Sequence, residues 1–203
     1  MRKISQTSDK IFFTSDHHFG HDGIIKFANR PFKSLKEMDE TLIHNWNKVV
    51  PSDGLTFVLG DIGFCDKTCI VDIFTRLNGR KILIRGNHDS NYSENILLSI
   101  FDEVHDLLYV RIQDSITLKY MYMVLCHYPL LDWQGSFKGS WQLFGHLHTR
   151  DLVEFTTLKT RLFASQYDVG VDNNNFEPIS FLELKDIMRI QSENPIFKKT
   201  NYY

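Results

Sequence analysis

The sequence predicts an α/β protein, α+β by a strict count of its elements, in which two mixed β-sheets pack as a sandwich flanked by helices. Apolar runs alternate with amphipathic helical segments as far as residue 100, whereas short strand patterns follow one another after residue 102. Hydrophobic residues make up 42% of the 203-residue chain and charged residues 24%, which is typical of a globular protein. A single domain over residues 1–203 is therefore expected.

The first half of the chain predicts a β-α-β-α-β order followed by one more helix. Each predicted strand is a short apolar run bounded by polar turn residues. The first helix begins with a capping box of Ser34 and Glu37, and the second ends at Asn78 and Gly79. The predicted strands cover 10–15, 55–59 and 81–85, and the predicted helices cover 34–49, 69–77 and 94–100.

The second half predicts strands joined by turns without room for crossover helices, so antiparallel pairing is expected. Ser180 and Glu183 form a second capping box, which opens a final helix ending near residue 191. The tail over 194–203 is expected to be loosely ordered. The predicted strands of this half cover 107–112, 116–119, 121–125, 141–144, 161–164 and 167–171.

Charge and cysteine content argue against several classes of protein. The formal net charge of −2 provides no general basic surface, so stable binding of duplex nucleic acid is not expected. Cys65, Cys69 and Cys126 form no even set of disulfides, which favours free thiols and a reduced, cytoplasmic setting. The first ten residues lack an apolar signal segment, and no apolar run approaches the ~20 residues of a membrane span. No membrane association is therefore expected.

Five short polar motifs contain seven potential metal ligands, and most of these motifs follow a predicted strand. Strand ends are where open α/β sheets bind their ligands. Carboxylate, imidazole and amide groups together suit a pair of borderline divalent ions. The motifs are Asp16-His17-His18, Gly60-Asp61, Gly86-Asn87-His88-Asp89, Cys126-His127 and Gly145-His146-Leu147-His148.

Taken singly, each motif has an ordinary explanation as a polar loop, a helix-capping Asp or a core histidine. Taken together, their order and their positions at strand ends indicate one site. In an extended segment, Asp16 and His18 would point the same way, whereas His17 would point away and be structural. By the same spacing, His146 and His148 would lie on one side of the chain.

The two central motifs suggest more specific roles. Gly60 allows a sharp turn after its strand, and the two oxygens of Asp61 could each bind one ion of a pair. Asn87 offers a neutral oxygen ligand, whereas His88 would project in another direction and could act on the substrate.

The five motifs resemble the hallmarks of the calcineurin-like metallophosphoesterase superfamily, which are D-x-H, G-D, G-N-H-[DE], a later H and G-H-x-H. The resemblance extends from Phe12 to Val171, and flanking segments are similar to a small bacterial and phage branch. It implies that Asp61 bridges two ions and that His88 is the general acid or a phosphate contact. It also implies that one ion is held by Asp16, His18 and His148, and the other by Asn87, His127 and His146.

One departure from the superfamily concerns the segment after Gly60-Asp61. The protein-phosphatase branch has G-D-x-x-D-R-G, but this chain continues as Ile62-Gly63-Phe64-Cys65-Asp66. The usual carboxylate partner of the catalytic histidine is therefore missing from its position, although Asp66 could substitute. Phosphoprotein substrates become less expected for the same reason.

Several further residues are candidates for the substrate pocket or for supporting the ligands. His21 is predicted to line the pocket. Arg30 could grip a non-bridging phosphate oxygen or be an ordinary surface arginine. Tyr128 could cover a base or pack in the core, and Asp168 and Asp172 could orient a ligating histidine.

The function implied by this resemblance is a dinuclear metal-dependent phosphohydrolase, expected to act as a phosphodiesterase on nucleotide-like or other small phosphoesters. A metal-bridging hydroxide would be the nucleophile, and the two ions would lie ~3.5–4 Å apart. Mn²⁺ is the expected ion, and Fe, Zn, Ni or Co would also suit these ligands. The alternatives are a phosphomonoesterase using the same site, a DNA nuclease, and a non-catalytic scaffold.

Overall fold

The computed structural model describes residues 1–149 and 160–194, and within them the chain forms ten strands and five α-helices. The predicted class, an α/β chain with two mixed sheets and outer helices, is confirmed. The strands are β1 (Arg2–Lys3), β2 (Ile11–Thr14), β3 (Leu55–Val58), β4 (Arg80–Ile84), β5 (Glu103–His105), β6 (Leu108–Gln113), β7 (Tyr120–Leu125), β8 (Trp141–Phe144), β9 (Gln166–Asp168) and β10 (Ile179–Ser180). The helices are α1 (Asp22–Phe27), α2 (Leu35–Val49), α3 (Lys67–Thr75), α4 (Glu94–Ile100) and α5 (Phe181–Glu193).

The first sheet has the strand order β10-β2-β3-β4-β5, and all neighbours are parallel except β10 and β2. Phe13 of β2 lies opposite Phe57 of β3, which in turn lies opposite Ile82 of β4. β2 and β3 are buried along their whole length, as expected for parallel strands covered on both faces. The carboxyl ends of β2, β3 and β4 therefore lie at one edge of the sheet.

The second sheet has the order β1-β6-β7-β8-β9, and among these described strands β6 and β7 form the one antiparallel pair. The prediction of a mostly antiparallel second half was wrong. Residues 126–140 and 145–165 make the two later connections, and segments of this length can return the chain to the start of a parallel strand. The carboxyl ends of β7 and β8 consequently share an edge as well.

Apolar side chains fill both faces of the first sheet. Between the sheets, Phe13 and Phe57 pack with Val110 and Leu143 of the second sheet, and Phe181 of α5 joins this core. On the opposite face, helices α2, α3 and α4 cover the strands through a second cluster. Full burial of a large apolar side chain contributes roughly 1.5–3 kcal/mol, so these two layers hold the strand ends in place.

The helix starts agree with the predicted caps in one case and only partly in the other. At α5, the Ser180 side chain accepts the Glu183 N–H while the Glu183 carboxylate accepts the Ser180 N–H, which completes the capping box. At α2, Ser34 Oγ accepts the Glu37 N–H at 3.2 Å, but the Glu37 carboxylate accepts the N–H of Lys33. Helix α1 was not predicted; it is short and buries only Ile24, so it has no periodic apolar face.

Two segments that were predicted to be strands form turns. Residues 116–119 form the β6–β7 connection, where Asp114 accepts hydrogen bonds from Ile116 N (3.0 Å) and Thr117 Oγ1 (2.7 Å) and reverses the chain. Residues 161–164 form a turn before β9, which two hydrogen bonds hold in place. Phe163 N donates to Gln166 Oε1, and Gln166 N donates to Phe163 O.

No helix within residues 1–149 and 160–194 is both long and apolar enough to cross a bilayer. The predicted loose tail, apart from Asn194, lies outside the described residues.

Candidate metal centre

The two sheets converge at the edge where their parallel strands end. Ser15, just after β2, forms a parallel bridge with Gly170, which follows β9, and thereby joins the sheets. Beyond the strands, Asp16 N donates to Gly60 O at 3.0 Å, and Gly145 N donates to His127 O at 2.9 Å. Four of the five polar motifs are thus tied directly to a neighbouring strand end at this edge.

Six predicted ligands form two groups in which each residue offers a potential ligand atom within 4.8 Å of the others. Asn87 adjoins one of them, since its Oδ1 lies 3.0 Å from His127 Nε2. We call Asp16, His18 and His148 the first group, and Asp61, His127, His146 and Asn87 the second group. This division matches the ligand sets that the resemblance implies.

Asp61 belongs to the second group but also reaches the first. Its Oδ2 is 3.7 Å from His18 Nε2, 3.6 Å from His127 Nε2 and 3.9 Å from His88 Nε2. Its Oδ1 accepts the backbone N–H of His88 at 2.9 Å, which fixes the carboxylate plane. One oxygen of Asp61 is therefore close to both groups and to the predicted acid.

The ligand loops use an unusual backbone conformation. Five of the ligands have a left-handed backbone, with φ between 48° and 71°: Asp16, His18, Asp61, His146 and His148. Asp and His tolerate this region better than most residues, and such strained positions cluster at functional sites. The assumption of an extended Asp16–His18 segment was wrong, although His17 does point inward, with Nε2 3.3 Å from Thr14 Oγ1.

His146 and His148 also depart from the simple spacing argument. They do not share one side but enter different groups, because the chain makes a tight turn in which Leu147 N donates to Gly145 O at 2.8 Å. Glycine is required at two neighbouring points. A Cβ at Gly145 would overlap Asp16 Oδ2, and a Cβ at Gly86 would overlap Asp61 Oδ1.

His148 is held by a buried charged network. Its Nδ1 lies 2.8 Å from Asp172 Oδ2, and the Asp172 carboxylate forms two hydrogen bonds with the Arg30 guanidinium, at 2.9 and 2.8 Å. Arg30 also donates to the backbone carbonyls of Asp16 (2.7 Å) and His17 (2.8 Å). His148 Nε2 is thereby left to face the first group.

The prediction that Arg30 grips the substrate is wrong. Arg30 is only 4% exposed, and its guanidinium donors are taken by Asp172 and by backbone carbonyls beneath the ligand loop. Arg30 therefore positions ligands from below and does not face the pocket. Asp168 likewise does not orient a ligating histidine, because it accepts hydrogen bonds from the N–H groups of Thr149 and Gly170.

The second group is held by neutral and backbone contacts. His127 Nδ1 lies 2.6 Å from Leu59 O, which places the proton on Nδ1 and leaves Nε2 as an acceptor. Asp89, whose role was not predicted, accepts N–H groups from Asp61 (3.0 Å), Ile62 (2.9 Å) and Gly86 (2.7 Å). This buried carboxylate clamps the Asp61 loop to the Asn87 loop. Only its place in the Gly86–Asp89 motif could have indicated it.

Burial and neighbouring charges shift the pKa of several ligands. Burial raises the pKa of Asp16 to about 7 and, with the nearby His148, lowers that of His18. For His148, burial alone would lower the pKa, but the Asp172 hydrogen bond and the Asp16 charge raise it overall. An ion bound between Asp16 and His18 would favour the charged carboxylate and the neutral imidazole.

The remaining predicted residues lie around the two groups. His88 is partly exposed and contacts Phe64, with ring centroids 4.5 Å apart. His21 also packs on Phe64, at 4.1 Å, and on His18, at 5.6 Å, so it lies beside the first group. The suggested partnership of Asp66 with His88 is not seen: Asp66 caps α3 by accepting the N–H groups of Thr68 and Cys69, and no hydrogen bond of the described residues joins it to His88.

Of the two positions predicted for Tyr128, the structure excludes packing in the core. It is 43% exposed and does not pack in the core. Its ring centroid lies 5.0 Å from that of His127 and 4.9 Å from that of His146. Trp133 and Trp141 are buried.

Comparisons with known proteins identify relatives without an assigned activity. An uncharacterized protein of Methanocaldococcus jannaschii, MJ1445, is 32% identical over 173 residues, covering 84% of this chain and 86% of that protein. The Gene 66 protein of Mycobacterium phage L5 is 25% identical over 183 residues, covering 79% of this chain and 86% of that protein. A family-model search found no match.

A solved structure, that of the protein of unknown function AQ665 from Aquifex aeolicus, has a TM-score of 0.63 and 28% identity to this chain. The likeness covers 87% of this chain and 98% of that one. The identity and coverage of the Methanocaldococcus jannaschii relative show that this chain belongs to the same family as MJ1445.

Proposed function

We propose that this protein is a dinuclear metal-dependent phosphohydrolase with a fold of the calcineurin-like metallophosphoesterase type. Its proposed substrates are phosphodiesters of nucleotide-like or other small molecules. The observation that carries the proposal is the position of Asp61 Oδ2, which lies 3.7 Å from a histidine nitrogen of the first group and 3.6 Å from one of the second. A shared carboxylate between two imidazole-containing groups is the arrangement a pair of divalent ions requires.

Unpaired polar atoms support metal binding at the first group. Asp16 Oδ1, His18 Nδ1 and His18 Nε2 are buried and have no hydrogen-bond partner among residues 1–149 and 160–194. An unsatisfied buried polar group costs about 1–3 kcal/mol, so three together in one group require an explanation. Oxygen and nitrogen donors of this kind suit Mn²⁺, and also Fe, Zn, Ni or Co.

The chemistry follows from charge and position. Two divalent ions against the carboxylates of Asp16 and Asp61 would leave a net charge of about +2, which attracts a phosphate ester. When bound, such ions polarise phosphoryl oxygens and lower the pKa of coordinated water. The protein groups orient this centre: Asp172 and Leu59 O fix the imidazoles of His148 and His127, and Asp89 holds the bridging loop.

His88 is the proposed general acid. Its backbone N–H binds Asp61 Oδ1, while its imidazole remains partly exposed with Nε2 3.9 Å from Asp61 Oδ2. The side chain therefore reaches the edge of the centre without belonging to either ligand group. From there it can donate a proton to the leaving-group oxygen, a contribution of about 10²–10⁴-fold.

Metal removal and restoration test the proposal. We expect chelation to abolish hydrolysis of bis-p-nitrophenyl phosphate and Mn²⁺ to restore it. Asn87→Ala should weaken activity, whereas Asn91→Ala, which alters an exposed asparagine on the same loop, should not. Full activity of chelated protein would contradict the proposal. A rate with p-nitrophenyl phosphate that exceeds the diester rate would assign the centre to a phosphomonoesterase.

A further inference from the structure

Aromatic side chains stand on both sides of Asp61. On the side of the first group, Phe64 is 36% exposed and lies nearly parallel to His18, with an interplanar angle of 17° and ring centroids 5.5 Å apart. Its ring also contacts the partly exposed His88 and His21. Phe64 is thus held against a ligand and the proposed acid while part of its ring faces solvent.

Further along the same side, Phe27 is the last residue of α1 and is 80% exposed. Its ring stands edge-on to His148, with centroids 6.0 Å apart. Large apolar side chains that remain exposed beside a polar centre gain no stabilisation from burial in the fold. Such apolar surfaces commonly bind ligands.

On the side of the second group, Tyr128 stands over His127 and His146 at interplanar angles of 77° and 68°. Because the ring makes edge-to-face contacts with both histidines, it is fixed in orientation while remaining 43% exposed. None of the described residues forms a hydrogen bond with its hydroxyl group. The ring is therefore placed by contacts with ligands and not by a bond to the core.

We propose that Phe64 and Phe27 on one side, and Tyr128 on the other, bind the flat rings of a phosphodiester that carries nucleobases. This inference rests on the proposed function and specifies its substrate class. The phosphate would lie at the centre beside Asp61, and its two ester arms would lead towards the two aromatic sides. A monoester has one arm and would use one side only, whereas a dinucleotide would use both.

The physical basis is stacking, which accepts any base because every base presents a π face. Each stacked ring contributes about 5- to 150-fold in affinity. The rigid rings of Phe64 and Tyr128 lose little conformational freedom on binding, since their contacts with histidines already orient them. Recognition should therefore favour a base strongly while discriminating weakly among bases.

The decisive experiment compares two ligands by calorimetry on Mn²⁺-loaded protein: adenosine 5′-monophosphate and ribose 5-phosphate. They share sugar and phosphate, so their difference reports the base. We expect the nucleotide to bind about 10-fold more tightly. Tyr128→Leu or Phe64→Leu should remove this advantage while leaving affinity for ribose 5-phosphate unchanged. Tyr128→Phe should retain it, because the ring and not the hydroxyl is proposed to bind.

The matched control is Tyr122→Leu, which removes a tyrosine of similar exposure, 42%, from β7 away from the centre. It should change neither affinity. Equal affinity of the wild type for both ligands, including the absence of binding, would overturn the inference. So would an advantage that survives in both Tyr128→Leu and Phe64→Leu.

Turnover of a dinucleoside monophosphate separates this inference from the proposed function. Each leucine variant should raise KM for the dinucleoside monophosphate about 10-fold more than it raises KM for glycerophosphoethanolamine, a diester without an aromatic ring. If the wild type hydrolyses neither compound but still prefers the nucleotide in calorimetry, the proposed function fails and the aromatic subsites stand. If it hydrolyses both and the variants do not discriminate, the subsites fail and the proposed function stands.

Discussion

In the first ligand group, the His148 imidazole is hydrogen-bonded to the buried Asp172 carboxylate, which also binds the Arg30 guanidinium. In the second group, the His127 imidazole is hydrogen-bonded to a backbone carbonyl, that of Leu59. The groups also differ in their contacts without an ion. In the second group, His127 Nε2 and Asn87 Oδ1, both acceptors, face each other at 3.0 Å, whereas in the first group Asp16 Oδ1 and both nitrogens of His18 have no hydrogen-bond partner within the described part of the chain.

Sites built from similar ligand types can therefore differ in their affinity for an ion. A carboxylate that accepts a hydrogen bond from one imidazole nitrogen makes the second nitrogen a stronger metal ligand. An ion would also satisfy atoms that are otherwise unpaired and buried. We therefore expect the first group to bind its ion more tightly. The second group, whose His127 imidazole lacks a carboxylate partner, should exchange its ion more readily.

The largest effect should come from Asp61→Ala, because this change removes the residue shared by both groups. We expect loss of both ions and a fall in turnover of about 10³-fold or more, since a metal's stabilisation of the transition state amounts to several kcal/mol. Metal content by atomic emission and rates with Mn²⁺ measure this. Retention of both ions at wild-type affinity would remove Asp61 from the bridging position.

His88→Ala should separate catalysis from metal binding in either group. We expect both ions to remain and turnover to fall about 10²-fold, the scale of a lost general acid. The loss should shrink for substrates with a nitrophenolate leaving group, which needs little protonation. The control is His44→Ala on the exposed face of α2. Equal losses on activated and unactivated diesters, or loss of metal, would assign His88 a structural role.

Asp172→Asn should weaken the first group alone. The change keeps the size of the side chain but removes the charge behind His148, and such supporting carboxylates affect metal affinity by about 10–100-fold. In a Mn²⁺ titration, the tighter of two binding steps should weaken and the looser one should not. Asp114→Asn provides the control, because Asp114 is a buried carboxylate paired with Lys185 at 2.6 Å away from the centre. An unchanged tight step in Asp172→Asn would contradict the predicted inequality.

The smallest effect concerns pH and the metal-free protein. Burial raises the pKa of Asp16 from 3.8 in the unfolded chain to about 7 in the fold, so the fold holds an extra proton between these values. Its contribution to the free energy of unfolding is present below about pH 4 and is lost as pH rises towards 7. Buried histidines with lowered pKa values make the free energy of unfolding rise with pH instead. The effect of Asp16 must therefore be measured as a difference between variants.

We therefore expect the Tm of chelated wild-type protein, relative to chelated Asp16→Asn, to fall by a few °C between pH 5 and pH 8. Mn²⁺ should raise the wild-type Tm more at pH 8, because an ion binds the charged carboxylate. It should raise the Tm of Asp16→Asn little at either pH. A relative Tm that rises with pH in chelated protein would contradict the shift at Asp16.

Much of the fold could be predicted from the sequence because it depends on local signals. The apolar runs at β2, β3 and β4 and the caps of α2 and α5 depend on neighbouring residues, and these elements were placed within a few residues. Strand direction in the second sheet depends on how the long connections run, and α1 lacks a periodic apolar face, so both were missed. The composition of residues 116–119 predicts a strand, but hydrogen bonds to the Asp114 side chain make this segment a turn.

For the candidate site, the sequence by itself determined which residue types are available and in what order, since the motifs and their positions after apolar runs can be read directly. Only the tertiary structure decided how these residues divide into groups, because the left-handed backbone at five ligands directs side chains in ways that spacing does not report. It also decided that Arg30 lies beneath the ligands. The partner of Arg30, Asp172, is 142 positions away in sequence, and only the packing of the two sheets brings their charges together.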